Sequence, residues 1–134
     1  MPYSASQMYA LVNDIESYAD FLPWCSQATI LEQTGDEIKA RLNIAYGSLN
    51  KSFTTLNKLT PNVKMEMQLV DGPFKQLHGE WLFTQLGEDG SKVSLALEFE
   101  FINNLISMTM GPVFSQIANT LVDSFSERAH KVYK

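Results

Sequence analysis

The chain has 134 residues, 45% of them hydrophobic and 19% charged, which suits one core of ordinary size and excludes disorder. Ten basic and fifteen acidic residues leave a net charge of −5, which gives no reason to expect DNA or general nucleic-acid binding. The single cysteine, Cys25, excludes an intrachain disulfide, and no apolar run approaches the roughly 20 residues of a membrane-spanning helix.

The start, Met1-Pro2-Tyr3-Ser4-Ala5, has no basic stretch followed by an apolar core, so a secretory signal is not expected and a cytoplasmic protein is. Ser4-Ala5-Ser6-Gln7 matches a capping box. Met8, Leu11, Val12 and Ile15 then recur at helical spacing. Tyr18, Phe21 and Leu22 continue the apolar surface on a second short helix, which Pro23 ends.

Strand patterns follow. Ile38, Ala40, Leu42, Ile44 and Tyr46 alternate with polar or small residues, as do Val63, Met65, Met67 and Leu69, and Val93, Leu95, Leu97, Phe99 and Phe101. Residues 26–33, 49–59 and 76–86 read as strands with less clean alternation. Turn signals at Thr34-Gly35-Asp36, Tyr46-Gly47-Ser48, Thr60-Pro61-Asn62, Asp71-Gly72-Pro73 and Gly87-Glu88-Asp89-Gly90 separate them. Six strands joined by short turns are antiparallel neighbours. The period then changes: Met110, Val113, Phe114, Ile117, Leu121, Val122, Phe125, Ala129 and Val132 lie three or four apart, a long amphipathic helix. Gly111-Pro112 either starts it or kinks an earlier start near Asn104.

One-sided strands need a cover, and the last helix is the only element large enough to provide it. The expected fold is α+β in a single domain over 1–134: a curved antiparallel sheet wrapped around a long C-terminal helix. The alternation and the helix length predict an apolar tunnel lined by Met67, Leu95, Leu97, Phe99, Met110, Phe114 and Ile117. The methionines suit either an adaptable lipid pocket or plain core.

Several motifs carry a resemblance over essentially the whole chain. These are Pro2-Tyr3-Ser4-Ala5 with Met8-Tyr9 and Leu11-Val12-Asn13-Asp14, Phe21-Leu22-Pro23-Trp24-Cys25, Leu69-Val70-Asp71-Gly72-Pro73-Phe74 and Gly79-x-Trp81-x-Phe83. Phe99-Glu100-Phe101, Gly111-Pro112-Val113-Phe114 and Phe125-x-x-Arg128-Ala129 continue the series in order. The chain resembles the START-like helix-grip superfamily, and within it the coenzyme-Q-binding branch, close to its bacterial ribosome-association toxins. The resemblance implies a helix-grip fold around a hydrophobic tunnel. It implies a hydrophobic small molecule as ligand, ubiquinone or another isoprenoid lipid, with no cofactor required. It also implies a partner, the large ribosomal subunit, whose joining to the small one is blocked. Respiratory ubiquinone binding or lipid carriage without a ribosomal role is the alternative, and an oligoketide cyclase or aromatase the second. A cyclase needs polar groups inside, where the alternating sets offer mainly Tyr46.

The residues themselves favour binding over catalysis. His78 and His130 are far apart in sequence, and Cys25 has no partner for a metal site. Glu98 and Glu100 share one strand face, which suits either an acid–base pair or a solvated outer surface. Residues 38–65 hold Lys39, Arg41, Lys51, Lys58 and Lys64 and no acid, so the remainder carries −10. Lys39, Arg41, Lys58 and Lys64 are the candidate contacts to an anionic partner, ribosomal RNA or an acidic membrane surface touched peripherally; the alternative is an ordinary solvated sheet face.

Members of the family usually carry a strand before Pro-Tyr-Ser-Ala that pairs beside the last strand. Here Met1 alone precedes the motif. The expectation is an open edge at 92–102, met either by chain further upstream in the natural protein or by self-association edge to edge.

Overall fold

The computed structural model describes residues 1–46 and 49–133; the expected turn at Gly47-Ser48 lies outside them. Helix α1 (Ala5–Asn13) begins at the capping box: the Gln7 N–H donates to Ser4 Oγ at 3.2 Å and the Ser4 N–H to Gln7 Oε1 at 2.9 Å. The second short helix begins earlier than the apolar spacing suggests. It is a 3-10 segment over Ile15–Asp20, because Asp14 leaves the helical region at φ −84°, ψ 67°. The Ser17 hydroxyl donates to Asp14 Oδ2 at 2.7 Å and fixes that break.

Six antiparallel strands follow: β1 (Cys25–Thr34), β2 (Glu37–Tyr46), β3 (Leu49–Thr60), β4 (Lys64–Asp71), β5 (Phe74–Leu86) and β6 (Gly90–Phe101). They form one sheet in chain order, with β1 and β6 at its edges. Register shifts interrupt β1–β2, β3–β4 and β5–β6, and such bulges bend a sheet. The β4–β5 turn requires its glycine. Gly72 has φ +150°, and a Cβ there would stand 2.7 Å from the Cβ of Phe53. At the start of β6 the Ser91 N–H donates to the Met1 carbonyl at 3.1 Å.

The long helix α2 (Asn104–Val132) has the earlier of the two expected starts. Asn103 caps it, its side chain accepting from the Ile106 N–H at 2.8 Å, and Pro112 lies inside. Its Met110, Phe114, Ile117, Phe125 and Ala129 are buried against the inner face of the sheet. The C-terminal end is tied to α1 by the Tyr133 hydroxyl, which donates to the Gln7 carbonyl at 2.8 Å. No helix among the described residues is long and apolar enough to cross a membrane.

Candidate functional site

Between sheet and helix lies a cavity of about 70 Å³. Its floor is the inner face of β2 to β6, its roof the middle of α2 from Phe114 to Phe125, and Ile15, Tyr18 and Trp24 complete its wall. Four of the seven expected tunnel residues line it: Met67, Leu97, Phe114 and Ile117. The other three do not. Leu95 is half-buried, Met110 is fully buried, and Phe99 packs edge-on against Phe114 at 4.7 Å.

The difference has a physical cause. Phe53, Phe74, Phe99, Phe101 and Phe114 stack among themselves at centroid distances of 4.7 to 6.5 Å. Such mutual aromatic packing fills space at the start of α2. The free volume therefore sits deeper, beside Trp81 and Phe125, whose rings meet at 5.4 Å. Tyr46 is 59% exposed and contributes nothing to the interior.

Two polar wall residues escape the sequence reading, Thr55 and Asn57 on β3, 7% and 4% exposed. The signal that marks them is the poor alternation of 49–59, where inward positions hold Thr55 and Asn57 while the half-buried Leu56 lies between them. Tyr18 also borders the cavity, but its hydroxyl donates to the Val12 carbonyl, and burial raises its pKa far above the ordinary 10.0. It is a poor acid there.

The remaining candidates lie elsewhere. Cys25 is buried, with its thiol pKa pushed up by burial, so it is no poised nucleophile. His78 is exposed and pairs in register with Glu98; Glu98 and Glu100 are exposed, and Lys75 reaches Glu100 at 4.0 Å. Among the described residues no three His, Cys, Asp or Glu stand close enough to hold a metal.

The basic residues share the outer face of β2 to β4 with acids. β1 brings Glu32 beside Lys39, and Glu66 follows Lys64 two residues along β4. Lys39 lies 4.0 Å from Glu32 and Lys64 3.7 Å from Glu66. Lys58 pairs in register with Glu37 on one side and Glu66 on the other. Arg41 is exposed and faces Thr29 and Thr54.

The family model for polyketide cyclases, dehydrases and lipid transport proteins matches residues 1–126. The chain belongs to that family. It is 46% identical to the ribosome association toxin RatA of Pseudomonas aeruginosa, over 99% of this chain and 92% of the relative. It is 47% identical to the persistence and stress-resistance toxin PasT of an Escherichia coli O6:H1 strain, over 99% of this chain and 84% of the relative. The mitochondrial coenzyme Q-binding protein COQ10 of Dictyostelium discoideum is more distant, at 25% over 99% and 67%. Among solved structures, the Zhui aromatase/cyclase of a Streptomyces species aligns with a TM-score of 0.88 at 15% identity, covering 99% of this chain and 90% of that one. A likeness at that identity speaks for the shared helix-grip fold alone.

Proposed function

We propose that this chain is a binding protein and not an enzyme, one that associates with the large ribosomal subunit and blocks subunit joining, on a scaffold that holds a hydrophobic ligand. The observation that carries the reading is the 46% identity to a protein named for ribosome association, which runs through nearly the whole of both chains. A catalytic reading finds little support in the cavity wall, where Thr55, Asn57 and the hydrogen-bonded Tyr18 are the polar side chains.

The alternative, a ubiquinone or lipid carrier without a ribosomal role, is favoured by one observation, the apolar cavity, together with the coenzyme Q-binding relative. About 70 Å³ of free space is well short of the roughly 300 Å³ usual for a ligand pocket. A prenyl ligand therefore needs α2 or the phenylalanine cluster to give way.

Sucrose gradients decide between the two. Purified protein added to separated subunits before magnesium is raised is expected to reduce the joined-ribosome peak and to sediment with the large subunit. Unchanged joining, with an isoprenoid lipid extracted from the same preparation, would establish the carrier reading instead.

A further inference from the structure

A row of paired residues crosses the cavity floor. Ile38 on β2 pairs with Asn57, Asn57 with Met67, Met67 with Gly79, and Gly79 with Leu97 on β6. Asn57, Met67 and Leu97 from this row line the cavity. Gly79 gives the row its depth: a Cβ there would stand 2.6 Å from Met67 Cε and 3.0 Å from Leu97 Cδ1. The ends of the Met67 and Leu97 side chains fill that space, so a flat, apolar ring reaches the glycine only by displacing these two flexible ends.

Asn57 is the only polar member of the row, and it is 4% exposed. Its Oδ1 accepts from the Thr55 hydroxyl at 2.9 Å. The Thr55 hydroxyl donates or accepts equally well, and in either orientation of the amide at least one of its N–H groups stays free. With Oδ1 accepting, the Nδ2 hydrogens have no protein acceptor among the described residues, in a residue that borders free space. An amide N–H that meets only apolar free space is unfavourable, and a leucine of nearly the same size would escape that cost. The cavity has room for an oxygen at this point, since a water needs only about 10–15 Å³ of such space.

We propose that Thr55 and Asn57 form a polar anchor that selects an apolar, ring-shaped ligand carrying a carbonyl or similar acceptor oxygen over a hydrocarbon of the same shape. The proposal rests on the reading of this cavity as a ligand site. Thr55 holds the amide, Asn57 donates, and the row from Met67 to Leu97 receives the ring once these side chains and the α2 roof yield, since about 70 Å³ does not hold a bicyclic ring as it stands. Selectivity arises because the hydrocarbon leaves the amide unpaired and displaces any water that served it.

The test uses a matched pair, 2,3-dimethyl-1,4-naphthoquinone and 2,3-dimethylnaphthalene, titrated into the isotopically labelled full chain and followed by NMR. The quinone's substituted ring positions prevent addition of the Cys25 thiol. Wild type is expected to bind the quinone about tenfold more tightly, the size of one hydrogen bond in an apolar site, with a shift of the Asn57 side-chain amide signals that the hydrocarbon does not cause. Asn57→Leu is expected to bind the two equally. Gly79→Ala is expected to weaken both alike and leave the ratio intact. Equal affinities in wild type, or a preference retained in Asn57→Leu, overturn the anchor while the cavity stands. Binding of neither compound overturns the cavity as a ligand site and the anchor with it. If Asn57→Leu does not fold, Thr55→Val takes its place: it frees the amide to turn and is expected to lower the preference several-fold, and an unchanged preference there counts against the anchor.

Discussion

Phe114 links the packing of this molecule to its cavity. It is 4% exposed, its ring meets Phe53, Phe74, Phe99 and Phe101, and it forms part of the cavity roof. Phe114→Ala is expected to cost about 3–5 kcal/mol, visible as a lower urea midpoint at unchanged slope, whereas Phe114→Leu loses less. Tyr18 and Cys25 set a limit at the alkaline end. Burial raises both pKa values above their ordinary 10.0 and 9.0. The unfolded chain releases these protons first, so above about pH 9 the folded state binds more protons and stability falls as pH rises. The contribution is fully present below that range. Urea midpoints are therefore expected to drop between about pH 8 and pH 10.5, and Tyr18→Phe is expected to flatten the decline while losing some stability at neutral pH. A slope unchanged by Tyr18→Phe would assign the alkaline loss to other groups. Asn57 and Thr55 lay beyond the sequence reading for a reason at this scale: a polar residue in a strand pattern reads as an outward position until a hydrogen-bond partner beside it is seen.

The elements were legible where one periodicity dominates. β2, β4 and β6 show clean alternation because each buries one face against the core, and α2 changes to a helical period because it buries a stripe. The short 3-10 segment starts earlier than apolar spacing suggests because its two turns follow from the Asp14 backbone. The cavity floor was only half legible. Its row of Asn57, Met67, Gly79 and Leu97 exists through strand register, which no single strand carries. Within α2, Gly111 and Pro112 interrupt an otherwise strong helix near the end that contacts the phenylalanine cluster. Pro112→Ala restores a backbone N–H to the helix and removes the ring's clash with the preceding turn, and is expected to stabilise the protein by up to about 3 kcal/mol, measured by chemical denaturation. If this end of α2 must yield to admit a ligand, the same variant slows ligand uptake in stopped-flow mixing without weakening final affinity. At the helix start, Asn103→Ala removes the cap on the Ile106 N–H and is expected to cost about 1 kcal/mol.

Charge is organised at the scale of the whole molecule, and here the linear sequence misleads in an instructive way. Residues 38–65 carry five basic side chains and no acid, against −10 over the rest of the chain. Folding lays β1 beside that stretch and sets Glu32 against Lys39, while Glu66, just past its end on β4, pairs with Lys64. Pairs this exposed contribute little to stability, but they cancel much of the positive field an anionic partner would meet. Arg41 is different, exposed between two threonines. If the outer face of β1 to β3 touches ribosomal RNA, Arg41 carries the contact. Arg41→Glu is then expected to weaken co-sedimentation with large subunits several-fold at low salt, with the loss shrinking as salt screens the surface, and to leave thermal stability unchanged. Lys58→Glu is the informative contrast. It places like charges opposite Glu37 and Glu66, so it is expected to lower stability by a few tenths of a kcal/mol and to change binding less than Arg41→Glu does. Equal binding by wild type and Arg41→Glu across a salt series would remove this sheet face from the ribosome contact and leave its lysines as ordinary solvated partners of the acids beside them.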